Sequence, residues 1–158
     1  MSNNRQADTL RLDVLGSDLV GRTWLALKST HIAPKKLKKL EEGSLIDGFD
    51  PLHLRLIRDG RVIARAKLGQ VGGREAVHIV STVSEPLHDT APGKHRLLEA
   101  RLRLLSETRA YAEGDVLEFD LPLSREIILL ADGRPIAIAE MVAYDEEPVL
   151  RITRMIHG

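Results

Sequence analysis

Apolar residues in this chain come in short runs cut by glycine, proline and aspartate, and the runs have the alternating or unbroken character of β-strands rather than a helical period. Residues 22–28 alternate well enough for a strand, and further strands are predicted at 45–46, 52–58, 61–68 and 76–83. The second half repeats the order, with strands predicted at 98–105, 116–119, 126–130, 134–144 and 149–156. Helical signal is confined to two short pieces. Residues 35–42 place Leu37 and Leu40 three apart on one face, and Gly43 is suited to a left-handed C-terminal cap. Ser106 is a fitting N-cap for a second helix ending at Glu113. His31-Ile32-Ala33-Pro34 reads as a break before the first helix.

These elements recur as a unit. Asp59-Gly60-Arg61-Val62-Ile63-Ala64-Arg65-Ala66 returns as Asp132-Gly133-Arg134-Pro135-Ile136-Ala137-Ile138-Ala139, in each case a turn dipeptide followed by a β-patterned run. Upstream, Glu42-Gly43-Ser44-Leu45-Ile46 corresponds to Glu113-Gly114-Asp115-Val116-Leu117; downstream, Val77-His78-Ile79 corresponds to Leu150-Arg151-Ile152. The offset is about 71 residues at the glycines and about 73 at the hairpins, a difference of loop size. The chain divides into a polar N-terminal tail at 1–17, a first module at 18–83, a linker at 84–96 and a second module at 97–158. Two prolines and a glycine mark the linker.

A module of about 60 residues buries only about 60% of the surface its unfolded chain exposes and is marginal alone. The two copies are therefore expected to complete one shared core as an intramolecular pair about an approximate two-fold axis. Runs such as 127–130 and 136–142, apolar at nearly every position, suit strands buried on both faces and exchanged between the halves.

Composition narrows the function. The chain has 158 residues, 43% hydrophobic and 29% charged, with 23 basic residues against 23 acidic ones. That balance supplies no positive field to hold a polyanion, so a nucleic-acid partner is not expected. Aromatics make up 3% of the chain, too few for a base-stacking platform. Cysteine is absent, which excludes disulfides, thiol nucleophiles and thiolate metal sites and fits a reducing cytoplasm. No apolar run approaches the ~20 residues of a membrane-spanning helix, and the first residues lack a signal peptide's hydrophobic stretch.

The order of these segments resembles the SpoA (surface presentation of antigens) domain, once in each module. The resemblance rests on a short helix ending in Glu-Gly, an extended segment, an Asp-Gly hairpin with Ile-Ala on its second arm, and a closing strand, Leu150-Arg151-Ile152-Thr153-Arg154-Met155-Ile156. The family comprises the FliN and FliM C-terminal domains of the flagellar switch and the YscQ/HrcQ-type proteins of type III secretion. It implies a mainly β fold with short helices, in which two tandem SpoA-like modules form an intertwined intramolecular pseudo-dimer. It also implies a non-enzymatic structural subunit of the cytoplasmic ring or sorting platform, peripheral at the inner-membrane base of the apparatus. Tandem modules on one chain are more similar to the type III secretion members; a flagellar switch protein is the alternative. The implied partners are the stator-like linker protein that tethers the export ATPase and other ring subunits, in a homo- or hetero-oligomer, with no cofactor and no small-molecule substrate. Transferred by position, the family's apolar partner-binding patch falls on Met141, Val142 and Ala143, with Leu68 and Val71 in the first copy. Ala139 stands where the family often has glycine, and Gly69, Gly72 and Gly73 make the first copy less hydrophobic.

Other chemistry is thinly represented. Arg61 and Arg65 fit the R-x-x-x-R spacing of PilZ-like cyclic-dinucleotide receptors, a β-barrel alternative, but no D/N-x-S-x-x-G segment follows, and on a strand they are two outward positions on one face. Lys35, Lys36, Lys38 and Lys39 form the wet side of the first helix, diluted by Glu41 and Glu42. The six histidines have no metal-site spacing, and His88 and His95 fall in the linker, where solvation is expected. Asp145, Glu146 and Glu147 lie in a turn before Pro148, not in a pocket that would shift a carboxyl for acid-base work. Nucleophile-elbow and phosphate-loop motifs are missing.

Overall fold

Eleven strands and one short helix make up the computed structural model, which describes residues 21–50, 52–105, 110–119 and 121–156. In the first half these are β1 (Thr23–Leu27), β2 (Thr30–Ile32), α1 (Pro34–Lys38), β3 (Leu45–Ile46), β4 (Leu54–Arg58), β5 (Arg61–Val71) and β6 (Arg74–Pro86). The second half holds β7 (Arg96–Leu105), β8 (Val116–Glu118), β9 (Ile127–Ala131), β10 (Arg134–Tyr144) and β11 (Glu147–Met155). Among the described residues no helix is long and apolar enough to cross a membrane.

Local chemistry accounts for most of these limits. In both Asp-Gly turns the two central residues take positive φ, 50° and 72° at Asp59 and Gly60, 48° and 81° at Asp132 and Gly133. That geometry matches the twist of the flanking strands and yields the β4–β5 and β9–β10 hairpins. The two aspartates then act alike: Gly21 donates its N–H to Asp59 and Leu97 donates its N–H to Asp132. Pro34 opens α1 from an extended Ala33, as a residue before proline should be.

Three local expectations are corrected. The segment expected to break the chain contains β2, because residues 30–32 find a partner in β7. The helix stops at Lys38, and Gly43 is no helix cap; its positive φ of 90° instead turns its N–H toward the carbonyl of Ile152. No helix covers 110–113, while residues 106–109 of that expected helix, and the tail at 1–17, lie outside the described residues.

All strands join one antiparallel sheet in the order β3-β11-β10-β9-β7-β1-β4-β5-β6-β8, with β2 also paired to β7. Exchanging β1 with β7, β4 with β9, β5 with β10, β6 with β11 and β3 with β8 returns the same order read backwards. The centre of this symmetry is the β1–β7 pair: Thr23 faces Leu105 at one end, and β2 continues along β7 until Ile32 faces Arg96 at the other. At the periphery each half lends a short strand to the other, β3 to β11 and β8 to β6.

The same two backbone contacts tie each crossing. Gly43 donates its N–H to Ile152 at 2.8 Å and Ile152 donates back to Ser44 at 2.9 Å; Gly114 donates to Ile79 at 2.9 Å and Ile79 donates back to Asp115 at 2.8 Å. Gly43 and Gly114 both need φ near +90°, the reason glycine stands at both places. The lent strands are thus the short ones. Of the two long apolar runs, 127–130 is buried on both faces because β9 lies in the middle of the sheet, whereas 136–142 in β10 is fully buried only at 137–139, and neither run is exchanged.

The main core draws fully buried residues from every strand but β8, whose Leu117 packs against it, including Leu25 and Leu27 of β1, Leu54 and Leu56 of β4, Leu98 and Leu102 of β7, and Ile127 and Leu129 of β9. Small residues face large ones across the hairpins in the same places twice. Ala64 opposes Leu56 and Ala66 opposes Leu54; Ala137 opposes Leu129 and Ala139 opposes Ile127. The reverse face of the sheet holds a smaller cluster, Trp24, Ala26, Ile57, Leu104, Ile128, Leu130 and Ile138, over which Leu87 and Ile156 pack.

Candidate partner-binding surface

Four of the five patch positions lie on the arms of two equivalent hairpins. In β10, Met141 faces Leu150, Val142 faces Val149 and Ala143 faces Pro148, leading to a turn in which Asp145 and Glu146 both take positive φ. In β5, Leu68 faces Val77. The fifth, Val71, ends β5 opposite Arg74, at a Gly72-Gly73 turn.

Strand alternation splits these residues. Met141 and Leu68 are half-buried against the main core. Val142 points to the reverse face and is half-buried, whereas Ala143 is exposed and Val71 is 37% exposed. Met141 lines a shallow crevice with Leu27, Phe49, Pro148, Val149 and Leu150. The β10 and β5 positions are separated by four strands in the sheet, so they make two equivalent sites rather than one patch. Tyr144, 57% exposed beside Ala143, extends the β10 site and was missed in the sequence because a single aromatic at a turn carries no pattern. Leu45 and Val116, also exposed, occupy equivalent places on β3 and β8 and were legible only through the repeat.

Electrostatics distinguish the two reverse faces. Arg55 and Arg65 in the first half stand where Ile128 and Ile138 stand in the second. The first-half guanidiniums are engaged within the chain. Arg55 donates to both carboxylate oxygens of Asp89 at 3.1 and 2.6 Å, and Arg65 donates to Glu85 at 3.0 and 3.2 Å. Arg61 donates to the hydroxyl and carbonyl oxygens of Ser84. The R-x-x-x-R pair is thus stapled to β6, a structural use of the spacing that raised the cyclic-dinucleotide alternative.

The predicted linker is a strap rather than a free tether. β6 runs to Pro86 and β7 begins at Arg96; between them Leu87 donates its N–H to Gly60 and packs on the reverse-face cluster. His95 is hydrogen-bonded to His31 through their Nδ1 atoms at 2.8 Å, with the two rings tilted by 56°, so it has a partner as well as solvent. Asp89 accepts from Ser29 at 2.7 Å in addition to Arg55. Burial works to raise its carboxyl, yet the hydrogen bonds from Arg55 and Ser29, with the Arg55 and Lys28 charges, hold it below its ordinary 3.8. A lowered folded-state pKa stabilises the protein above the unfolded value and ceases to do so as pH falls through the folded one. Asp89→Asn is expected to cost about 2 kcal/mol at pH 7, since it strips charge-assisted bonds from a largely buried guanidinium. Urea unfolding at a series of pH values checks this: the gap between the two proteins should close below about pH 4.

Among the described residues no group of three or more histidines or carboxylates is placed to hold a metal ion. Residues 97–157 match the family described as type III flagellar switch regulator (C-ring), FliN C-terminal. This stretch, the second module, is thus similar to a FliN C-terminal domain, of the SpoA type that the sequence resembles. None of the curated proteins matches the chain.

Proposed function

We propose, from the match of residues 97–157 to the FliN C-terminal family, that this protein is a structural subunit of a cytoplasmic C-ring or sorting platform in a flagellar or type III secretion apparatus. The observation that supports the reading furthest is the likeness of residues 21–86 to the second half, whose strand order and backbone crossings they repeat; on this reading both halves act as SpoA-like partners. Such a pair is stiff, because β3 and β8 close each half with the other's main chain. Its mechanism is recognition. The β10–β11 hairpin offers Val142, Ala143 and Tyr144 at an accessible edge, a place for the apolar side of an amphipathic segment of the ATPase-linker protein.

Affinity capture with the tagged chain from its native lysate tests the proposal. Export-ATPase linker or ring components should co-purify, and Val142→Asp should reduce their capture at least about tenfold, the loss of one anchor in an apolar contact. The thermal midpoint of the variant should stay that of the parent. Parallel loss of capture and stability would mark Val142 as core, and capture of no export component by the parent chain would reject the reading.

A further inference from the structure

Two histidines far apart in the chain meet, although nothing in their spacing announces it. Antiparallel pairing of β2 with β7 sets His31 opposite Leu97, and His95 lies two positions before Leu97, so the two imidazoles are diagonal neighbours on one face. His95 is held there by its own backbone N–H, donated to the carbonyl of Pro92 at 3.0 Å. Both residues are exposed. The crevice they share is lined by the apolar Ile32, Ile46 and Leu98 and by one cation and one anion, Lys36 and Asp47, which lie 4.0 Å apart and offset each other. Along the chain His95 is flanked by Lys94 and Arg96, and Arg96 donates to Asp132 at 3.1 Å.

We infer that His31 and His95 form a two-imidazole site for a divalent transition metal ion, Cu²⁺ before Ni²⁺. The site stands apart from the ring-subunit reading. With the two Nδ1 atoms 2.8 Å apart, one carries a proton and the other offers a lone pair, since two protons or two lone pairs would repel. A metal ion takes the place of that proton. The protonated Nδ1 gives it up, the Nε2 of the same ring takes one from water, and two neutral rings then present Nδ1 lone pairs to the ion. The separation selects which ion. Nitrogen ligands at about 2.0–2.1 Å from a metal lie about 2.9 Å apart at a right angle and about 3.3 Å apart at the tetrahedral angle. The observed 2.8 Å fits the right angle of square-planar or tetragonal Cu²⁺ and Ni²⁺ rather than the tetrahedron of Zn²⁺. Of these ions Cu²⁺ binds a given nitrogen site most tightly. Water fills the remaining positions, because no third histidine or carboxylate joins the pair among the described residues. His31 belongs to the first half and His95 to the end of the strap, so a bound ion ties β2 to the start of β7.

Calorimetric titration of the full chain with a copper(II) salt in a non-coordinating buffer tests this, together with electron paramagnetic resonance of the first equivalent. One Cu²⁺ per chain should bind, more tightly than Ni²⁺ or Zn²⁺, and its spectrum should carry the coupling of two imidazole nitrogens. His31→Asn and His95→Asn should each weaken that binding at least about tenfold, the loss of one of two protein ligands. His53→Asn, a histidine bonded instead to Asp50, should leave it unchanged. Saturating Cu²⁺ should raise the thermal midpoint of the parent and of His53→Asn, but not of the other two variants. No binding by the parent, fewer than two imidazole nitrogens in its spectrum, tighter binding of Zn²⁺ than of Cu²⁺, or undiminished binding in either His31→Asn or His95→Asn overturns the inference. The spectrum is read on the parent chain, so it decides the matter whatever a substitution does to folding.

Discussion

A fragment holding residues 84–158 is expected to sediment as a homodimer, with no folded monomer. Alone, it loses β1 and β2 from the exposed side of β7, β3 from β11, and β6 from β8, so four of its strand pairings vanish at once. The main core is cut as well, since Leu25, Leu27, Leu54, Leu56, Val77 and Ile79 belong to the missing half. A unit of this size is near the limit of independent stability before any of these losses. A second copy can restore every one of them. Its β7 takes the place of β1 and β2, its β8 pairs with β11, and the Gly114 and Asp115 contacts re-form with Ile152 in place of Ile79. Unfolding of the fragment should then depend on protein concentration, as obligate dimers do. A cooperatively folded monomer would show that the second module needs no partner.

Trp24→Ala is expected to lower stability by about 3–5 kcal/mol, the range for removing a buried large aromatic. Trp24 is 2% exposed and faces Ile57 on one side and Leu104 on the other, one residue from each half. Ile128, Leu130 and Ile138 complete its surroundings, and the Arg101 guanidinium lies 5.3 Å from its ring. Removing the indole would thus open a cavity between the halves and strip a cation–π contact from a buried arginine. Set against the about 5–15 kcal/mol typical of a domain, that loss consumes much of the total. Urea unfolding followed by far-ultraviolet circular dichroism measures it, since the variant has no tryptophan to report. A change under about 1 kcal/mol would contradict the packing described for the reverse face.

Much of this fold is legible in the sequence where the cause is local. The Asp-Gly turns announce their hairpins because few residue pairs accept two positive φ values in succession. The repeat also agrees with a sheet whose strand order is unchanged when the strands of the two halves are exchanged. Which strands cross was not legible: periodicity pointed to the long apolar runs, while the lent strands are residues 45–46 and 116–118, too short to carry a pattern. Their partners lie more than 100 residues away in one case, a separation no local window samples. β2 was missed for the same reason, since residues 30–32 become a strand only by meeting β7. The patch positions were assigned by resemblance, and strand alternation alone could have separated Met141 from Val142. The bonds from Arg55, Arg61 and Arg65 to Asp89, Ser84 and Glu85 had no sequence signal, because they depend on the path of the strap.

The reciprocal crossing is best tested by native-state hydrogen exchange at four amides, Gly43, Ile152, Gly114 and Ile79, followed by nuclear magnetic resonance. All four donate across the boundary between the halves. If the two modules close each other, the four should exchange with one common free energy, close to that of global unfolding, and Trp24→Ala should lower all of them together. Rapid exchange at Gly43 and Gly114 while the rest of the sheet stays protected, or different free energies for the two crossings, would mean that each half folds without the other's strand.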